Sequence, residues 1–397
     1  MRGKKGGLQT EVDVFGNRQK VLAEIKPVPG CNLVISIIPA LQKTAEVLLK
    51  GKTGAVVAMS PSNGEILVLA SSPGFDSNLF ARGIDYKEWK ALIENPFHPL
   101  LNRAIQSQQP PGSVFKIVTA VAALEEKIVD PNEKFFCPGH FKLGRRKFNC
   151  WKRGGHGWLQ MKDAIIESCD TYFYNISLRV GIDNIIKYSK LLGFGEKTEV
   201  ELEGEKSGLV PSPKWKKTKY GSAWQKGETL NMSIGQGFLL ATPLQIAVFF
   251  CGIANKGLIP KPRIVLEVTC EDFQTSFPPS IRKAYHLSPE TFFLIKEALT
   301  GVVNSQKGTG RLAKTDSFVV AGKTGTSQVA SLKNIKGDIE DIPWKLKDHA
   351  WFACFAPVEK PEIVVSVLLE HGGSGGKEAA PIAGEIIKAF KKLKKDV

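Results

Sequence analysis

Ser113 and Lys116 lie three residues apart in the stretch QQPPGSVFKIVTAVAALEE (108–126). On a helix this spacing brings two side chains to one face and within hydrogen-bonding reach. A serine hydroxyl is a weak nucleophile until a base takes its proton, and a lysine can do so when apolar burial lowers its pKa. The Pro-Pro-Gly turn places Ser113 at a helix N-terminus, where free N–H groups stabilise developing negative charge. The pair predicts a nucleophile with its base, although an N-cap serine beside a surface lysine has the same spacing.

Two later motifs strengthen this hypothesis through their order along the chain. Ser168 and Asp170 lie in ESCDTYFY, and Lys323 begins the run Lys-Thr-Gly-Thr (323–326) within a predicted strand. Each motif is common by itself. A Lys-Thr-Gly is usually just the end of a strand, and a Ser-Cys-Asp is usually just part of a loop. Together with Ser-x-x-Lys, however, they form the signature of penicillin-binding proteins and class A β-lactamases. Their joint occurrence therefore predicts an acyl-serine enzyme.

Strands at both ends of the chain and helices between them must position these residues. The apolar runs TGAVVAMS and EILVLAS are joined by PSNG, which predicts a β-hairpin, and three strand-like runs return near the other end: SFVVAGKTGTS, HAWFACFAP and EIVVSVLLEHGG. The middle, roughly 85–310, is rich in helices and loops, and EAAPIAGEIIKAFKKLKK predicts a last amphipathic helix. We therefore expect an α+β fold, an antiparallel sheet completed by both ends of the chain with a helical subdomain inserted.

The composition limits the classes of function. The chain has 397 residues, 43% hydrophobic and 23% charged, which is ordinary for a globular protein. Its net charge of +15 favours anionic surroundings. Because no zinc-finger, RRM or helix-turn-helix pattern is present, we predict no nucleic-acid partner. No signal peptide or membrane span is visible, and Thr242 and Pro243 in the most apolar window predict the start of a buried helix.

Over nearly its whole length the chain resembles the class B penicillin-binding transpeptidases. The similarity is carried by GAVVAMSPSNGEILVLASSPGFDSN, NRAIQSQQPPGSVFK, NMSIGQGFLLATPLQIA, GTGRLA, AGKTGTS and DHAWFACFAP. The Ser-x-Asp triplet is most similar to the cell-elongation branch, that of penicillin-binding protein 2, whereas most relatives have Ser-x-Asn. The resemblance implies a penicillin-binding/β-lactamase-like fold with a five-stranded antiparallel sheet and helices on its faces. Residues 31–397 would form the transpeptidase domain, and residues 1–30 an extended arm or the remnant of a pedestal domain whose greater part, with the membrane anchor, is missing.

The same resemblance implies that the motifs cross-link peptides. Ser113 would attack the carbonyl between the two terminal D-alanines of a peptidoglycan stem peptide, with Lys116 as the base, and form an acyl-enzyme. Ser168 would relay a proton to the leaving amine, and Lys323 would supply positive potential beside the substrate. An amine from a neighbouring stem peptide would then resolve the ester and complete the cross-link.

The remaining residues of these motifs are expected to bind the substrate. The hydroxyls of Thr324 and Thr326 would hydrogen-bond its carboxylate, and Gly325 would let its backbone lie along the strand. The backbone N–H groups of Ser113 and Thr326 would form the oxyanion hole. Asp170 departs from the family pattern, because an asparagine can donate to a substrate amide and an ionised aspartate only accepts. If Asp170 paired with either lysine, it would oppose the action of that lysine as a base.

Cysteines and histidines cluster before the second motif. The seven cysteines form no paired framework, but Cys137, His140, Cys150, His156 and Cys169 fall in one segment whose donors suit tetrahedral zinc. The elongation branch resembles this in carrying a zinc site here, and the matching positions are Cys137, Cys150, His156 and Cys169. His140 is the weaker candidate, because it is so close to Cys137 that both would have to turn inward. The alternative is a Cys137–Cys150 disulfide, with His156 on the surface.

The resemblance also implies ligands and partners. We expect no cofactor for catalysis, a structural zinc, β-lactam antibiotics as acylating ligands, and a location at the periplasmic face of the inner membrane. A membrane glycosyltransferase and other elongation-complex proteins would be partners. Three alternatives stay open: a division-specific transpeptidase, which the Ser-x-Asp triplet and the cysteines disfavour; a β-lactamase, for which no motif supplies a deacylating base; and a β-lactam sensor, for which no transduction segment is visible.

Overall fold

The computed structural model describes residues 2–329 and 343–395. Within these ranges the strands are β1 (Gly7–Val12), β2 (Arg18–Ile25), β3 (Asn32–Ile35), β4 (Gly54–Met59), β5 (Ile66–Ser72), β6 (Phe135–Cys137), β7 (His140–Leu143), β8 (Arg146–Asn149), β9 (Gly157–Leu159), β10 (Leu258–Pro260), β11 (Val265–Thr269), β12 (Gln274–Ser276), β13 (Ile281–Ala284), β14 (Ala321–Ser327), β15 (His349–Ala356) and β16 (Ile363–Leu369). The α-helices are α1 (Pro39–Leu48), α2 (Asn78–Ala81), α3 (Tyr86–Ile93), α4 (Arg103–Gln106), α5 (Lys116–Glu125), α6 (Met161–Ile166), α7 (Asp170–Leu191), α8 (Pro213–Tyr220), α9 (Lys226–Ser233), α10 (Pro243–Ala254), α11 (Pro289–Asn304) and α12 (Ala380–Lys395).

A five-stranded antiparallel sheet with the order β14-β15-β16-β4-β5 is the centre of the fold. Strands β4 and β5 come from the start of the chain and form the predicted hairpin, with Gly54 opposite Ser72. The other three strands come from its end and pair in sequence order. Every residue of β4, β15 and β16 is buried, which explains why these segments are apolar throughout rather than alternating. The prediction of a five-stranded sheet built from both ends of the chain is confirmed.

Helices cover both faces of this sheet. Helix α10 packs against β4, β15 and β16 on one face, and α12 packs on the other beside α1. The residues of β4 alternate between two hydrophobic cores, one on each face of the sheet. Ala55 and Val57 belong to one core and Val56 and Ala58 to the other, as the two-residue period of a strand requires. Helix α10 begins as predicted, because the Thr242 hydroxyl caps it. No helix in the described ranges combines the length and apolar character needed to cross a membrane.

The first three strands of the chain pair with different partners. Strands β1 and β2 form a separate two-stranded sheet, whereas β3 pairs with β11. A disulfide joins Cys31, directly before β3, to Cys270, directly after β11. This disulfide was not predicted from the sequence, because the two cysteines lie 239 residues apart and only the fold brings them together. The other five cysteines are free and buried.

Candidate active site

Ser113 lies in a tight turn that leads into α5. Residues Gly112–Phe115 form one turn of 3₁₀-helix, and α5 continues from Lys116. Gly112 has a φ of +55°, and a Cβ at this position would lie 2.6 Å from the carbonyl oxygen of Thr326 in β14. Only glycine therefore lets the turn approach β14 so closely. Ser113 itself is half-buried, so that its hydroxyl can be reached from the surface.

The side chain of Lys116 is fully buried, and three acceptors surround its amino nitrogen. They are the Ser168 carbonyl oxygen at 2.7 Å, the Ser168 Oγ at 3.3 Å and the Asp170 Oδ1 at 2.7 Å. Three acceptors match the three donors of a protonated ammonium. Since these donors are used, the expected hydrogen bond to Ser113 is not among the contacts of Lys116 in the described part of the chain.

Asp170 holds the loop of the second motif in place through both carboxylate oxygens. Oδ1 accepts from Lys116, and Oδ2 accepts from the backbone N–H of Trp151 at 2.9 Å. Burial raises the pKa of Asp170, and the charge of Lys116 opposes that shift. The pairing that the sequence raised as a difficulty is thus present, and it connects the first motif to the second.

Ser168 connects Lys116 to Lys323. Its Oγ lies 3.3 Å from Lys116 Nζ and accepts from Lys323 Nζ at 2.9 Å. Lys323 is fully buried, and burial together with the nearby charge of Lys116 holds its pKa well below the ordinary lysine value. This favours a neutral amine, which fits a proton acceptor better than the positive charge predicted for Lys323.

Strand β14 is an edge of the central sheet, and its open side runs along the Ser113 turn. The carbonyl oxygen of Thr326 accepts from Gln236 Nε2 at 3.2 Å rather than from β15. In an antiparallel pair the N–H and C=O of one residue point the same way, so the Thr326 N–H also faces this open edge. Thr326 is exposed, whereas Thr324 is buried and its hydroxyl lies 2.7 Å from that of Thr309.

Gly325 is required by packing inside the protein. A Cβ there would lie 2.6 Å from the Pro111 carbonyl oxygen and 2.9 Å from Trp351 Cβ. The side of Gly325 that a side chain would occupy is therefore filled by the protein itself, which is a different reason for the glycine from the one expected. Its predicted contact with substrate would have to be made by the backbone.

Replacement of Gly325 by alanine is expected to lower the unfolding free energy by about 1–3 kcal/mol, because the added methyl overpacks the junction of β14 and the Ser113 turn. It should also slow acylation by penicillin, since the two halves of the predicted oxyanion hole move apart. Urea unfolding and a labelled-penicillin time course measure the two effects. Gly7→Ala is the matched control, because nothing lies within 4 Å of a Cβ at Gly7. Equal values for Gly325→Ala and the wild type would refute this packing argument.

The four predicted metal ligands come together beside the second motif. Ligand atoms of Cys137, Cys150, His156 and Cys169 all lie within 4.8 Å of one another, and His140 is not part of this cluster. His156 Nδ1 is 3.5 Å from Cys137 Sγ and 3.6 Å from Cys150 Sγ. All three cysteines are free, so the alternative Cys137–Cys150 disulfide is not formed. Three thiols and one imidazole are a donor set that suits zinc.

The sulfur atoms of this cluster alter one another's acidity. Hydrogen bonding with Cys169 lowers the pKa of Cys137 to about 5 and that of Cys150 still further, while it raises the pKa of Cys169. Thiolates are the form in which cysteine binds metals. Cys169 is also the N-cap residue of α7, directly between Ser168 and Asp170, so whatever fixes the cluster fixes the second motif.

Three residues that contact the site were not predicted individually. Gln236 and Thr309 contact β14, and Trp151 contacts Asp170. The first two lie in NMSIGQG and GTGRLA, which carried part of the resemblance without a chemical role. Trp151 directly follows Cys150, and the prediction of Cys150 as a metal ligand was the one indication in the sequence that Trp151 lies near the site.

Comparison with known proteins places these observations in a family. The model of the penicillin binding protein transpeptidase domain matches residues 54–388. The peptidoglycan D,D-transpeptidase MrdA of Acinetobacter baumannii is 40% identical over 390 residues, which are 96% of this chain and 58% of that protein. The chain therefore spans about three fifths of the length of this curated relative.

Solved structures are similar over most of the chain. Penicillin-binding protein 2 of Pseudomonas aeruginosa, in complex with WCK 5153, has 36% identity and a TM-score of 0.82, covering 92% of this chain and 77% of that one. Penicillin-binding protein 2 of Helicobacter pylori, in complex with MreC, has 32% identity and a TM-score of 0.82, covering 99% of this chain and 69% of that one.

Proposed function

The chain belongs to the penicillin-binding protein transpeptidase family, and from that premise we propose that it is a peptidoglycan D,D-transpeptidase of cell-wall elongation. The resemblance stated from the sequence is confirmed at the level of the family and of the fold. One observation carries the proposal: Lys116, Ser168, Asp170 and Lys323 form a continuous network beside the Ser113 turn. The relative with 40% identity has the same activity in its name.

The first half of the reaction is acyl transfer to Ser113. Its Oγ forms a bond to the carbonyl carbon between the two D-alanines, and the C–N bond breaks to release D-alanine. The N–H groups of Ser113 and Thr326 stabilise the oxyanion. Thr326 is exposed on the open edge of β14, where an extended peptide can add as a further strand. Thr324 and Thr326 are proposed to bind the terminal carboxylate.

The proton of Ser113 needs an acceptor, and the network supports a relay. The three acceptors around Lys116 Nζ match the three donors of an ammonium group, so Lys116 takes the serine proton only as it passes one of its own to Ser168 Oγ. Ser168 in turn passes its own proton to Lys323. The two atoms lie 2.9 Å apart, with Lys323 Nζ donating to Ser168 Oγ in the resting structure, and this step needs the hydroxyl to donate to the amine instead. Ser168 then gives a proton to the leaving amine of D-alanine and takes one back from Lys323, which is neutral again. In this relay Lys116 exchanges a proton with Ser113, and Lys323 is the final proton acceptor.

The second half of the reaction returns the acyl group to an amine. A stem peptide from a neighbouring strand supplies the amine, whose nitrogen forms a bond to the ester carbonyl carbon and completes the cross-link. The C–O bond to Ser113 Oγ breaks, and the proton that the amine loses returns to Ser113 Oγ. A β-lactam enters the first half in place of the stem peptide and leaves Ser113 acylated.

We assign a structural zinc to Cys137, Cys150, His156 and Cys169. The support is a buried set of three free thiols and one imidazole nitrogen within 4.8 Å of one another. When bound, the ion would tie together the loops that carry these ligands. The residues of the cluster then hold Ser168 and Asp170 at the start of α7, and the ion takes no part in acyl transfer.

The proposal extends to domains, location and partners. Residues 31–397 are the transpeptidase domain and residues 1–30 an arm, in agreement with the pairing of β3 and Cys31 to the body and of β1 to β2 alone. The enzyme works at the periplasmic face of the inner membrane, with a glycosyltransferase and elongation-complex proteins as partners. A solved relative in complex with MreC supports this class of partner.

The relay predicts that acylation slows as the pH falls through the lowered pKa of Lys323. Below that pKa the amine is protonated and accepts nothing; above it the amine is neutral and the rate reaches its plateau. Stability shifts in the same direction. Between the lowered pKa of Lys323 and the ordinary lysine pKa of 10.5, the unfolded chain binds a proton that the folded chain does not. The unfolding free energy therefore rises with pH in this range. Lys323→Arg, charged throughout, should give a low and flat profile of penicillin acylation. A wild-type rate that rises on acidification would instead support the positive charge first assigned to Lys323.

Turnover of a stem pentapeptide tests the function itself. The expected products, measured by mass spectrometry with an added acceptor amine, are free D-alanine and the amide-linked dimer. Release of D-alanine with the hydrolysed tetrapeptide alone would favour a hydrolase. Rapid destruction of penicillin without a lasting adduct would favour the β-lactamase alternative.

A further inference from the structure

Three aromatic side chains form a surface cluster outside the catalytic network. Trp215 and Tyr220 belong to α8, and Phe238 follows the loop after α9. The rings of Tyr220 and Phe238 stack with centroids 5.3 Å apart, and Trp215 lies 5.3 Å from Phe238 and 5.7 Å from Tyr220. Tyr220 is 52% exposed, so part of the cluster faces solvent. We call these three residues the aromatic platform.

Hydrogen bonds fasten the platform to the turn that carries the nucleophile. The segment 235–241 contains Phe238 near its middle. At one end the Gly112 N–H donates to the Gly235 carbonyl at 2.9 Å, and at the other Gln109 and Ala241 exchange two backbone hydrogen bonds. Phe238 therefore cannot move independently of the residues that precede Ser113.

The same segment also contacts the substrate strand. Gln236, two residues before Phe238, donates to the Thr326 carbonyl oxygen on the open edge of β14. Two residues span at most about 7 Å of chain. Phe238 is therefore only two residues along the chain from Gln236, which contacts the edge of β14 where the stem peptide is proposed to bind.

Unpaired cations surround the platform. Lys214, Lys217, Lys219 and Lys226 are exposed, and none of them forms an ion pair with any residue in the described ranges. Lys219 lies over the rings of Trp215 and Tyr220 at 5.5 and 5.9 Å. The remaining lysine of α8, Lys216, is buried, and its pairing with Glu228 at 2.6 Å anchors α8 to α9. The exposed surface around the platform is therefore positively charged.

This combination fits a ligand that has both apolar ring faces and carboxylates. Aromatic faces pack against the C–H faces of sugar rings, because the negative π surface attracts polarised hydrogens. Lysines attract carboxylates, and several acting together are only partly screened by salt. A glycan strand with stem peptides carries both groups on one polymer.

We propose that the aromatic platform and its lysines bind the glycan–peptide strand whose stem peptide enters the active site. The inference rests on the proposed transpeptidase function and adds where the polymer lies. The sugar rings pack on Tyr220 and Phe238, and carboxylates of adjacent stem peptides pair with Lys217 and Lys219. Small β-lactams carry no glycan strand, so we expect this surface to leave their reaction with Ser113 unchanged.

Binding of defined strands tests the proposal. The probes are soluble uncross-linked glycan strands with stem peptides, an uncharged N-acetylglucosamine oligosaccharide as the peptide-free glycan, and the free stem peptide. Tyr220→Ala and the double variant Lys217→Glu/Lys219→Glu should each bind intact strands about tenfold more weakly, a change of about 1.4 kcal/mol. The lysine variant should leave binding of the peptide-free glycan unchanged, whereas Tyr220→Ala should weaken it.

Matched controls separate this result from a general effect of exposure or charge. Tyr86→Ala removes a tyrosine that is 78% exposed elsewhere, and Lys43→Glu/Lys50→Glu reverses two exposed charges, one on α1 and one just after it. Both controls should bind strands like the wild type. Penicillin acylation of Ser113 should be the same in every variant, which shows that each is folded.

Two outcomes would overturn the proposal while leaving the function intact. One is equal strand binding by the platform variants and the wild type, with normal penicillin acylation. The other is a loss confined to vesicles of anionic phosphatidylglycerol, with strand binding retained, which would assign the surface to a membrane. A wild type that penicillin does not acylate would refute the proposed function instead.

Discussion

Replacement of Lys116 by methionine is expected to slow acylation of Ser113 by penicillin about 10²–10⁴-fold, the range typical of lost general acid–base catalysis. Methionine is of similar length but has no proton to exchange with Ser168. The relay from Ser113 to Lys323 is then interrupted at its first step. The second-order rate constant, measured with a labelled penicillin, reports this loss directly.

The control for this variant addresses stability, because Lys116 also neutralises Asp170. The pair is buried and 2.7 Å apart. Removal of one partner from a buried pair costs about 3–5 kcal/mol. The double variant Lys116→Met/Asp170→Asn leaves no unpaired charge, so most of the stability should return while acylation stays slow. Recovery of both in the double variant would mean that Lys116 serves only to neutralise Asp170.

Replacement of Cys169 by serine is expected to abolish binding of the proposed zinc and to lower both thermal stability and penicillin acylation. Structural zinc contributes about 10–16 kcal/mol in small zinc-binding peptides, so the loss should be large even in a domain with its own core. Acylation should fall with it, since Cys169 lies between Ser168 and Asp170. Metal content by mass spectrometry, the melting temperature and the acylation rate constant are the three readouts.

Cys251→Ser is the matched control for this change. Cys251 is fully buried in α10, outside the cluster, so the same substitution there should cost only the burial of a hydroxyl, about 1–3 kcal/mol. It should leave the zinc content unchanged. Wild-type protein that contains no metal and lacks two free thiols in the cluster would refute the zinc assignment and restore the Cys137–Cys150 disulfide.

Much of the fold could be predicted because its signals are local. The strands buried on both faces are continuous apolar runs, and the PSNG turn joins two of them as a hairpin. Thr242 and Pro243 mark a helix start with their own chemistry. Ser113, Lys116 and Lys323 could be found because each lies in a short motif of fixed order.

The rest depends on contacts between distant segments. Nothing near Cys31 indicates Cys270, and nothing near Asp170 indicates which lysine it pairs with. The lowered pKa of Lys323 could not be predicted either, since the burial and the neighbouring charge that cause it are supplied only by folding. Gly325 was expected to let the substrate backbone lie along the strand, and only the fold shows that Pro111 and Trp351 also fill the space beside it.

The central claim is that Ser113 is the nucleophile of a slowly deacylating transpeptidase. Intact-mass spectrometry after incubation with a penicillin tests it most directly, on the wild type and on Ser113→Ala, followed over hours. The account predicts one adduct that persists on the wild type and none on Ser113→Ala. An adduct of equal yield on Ser113→Ala, or none on the wild type, would contradict it.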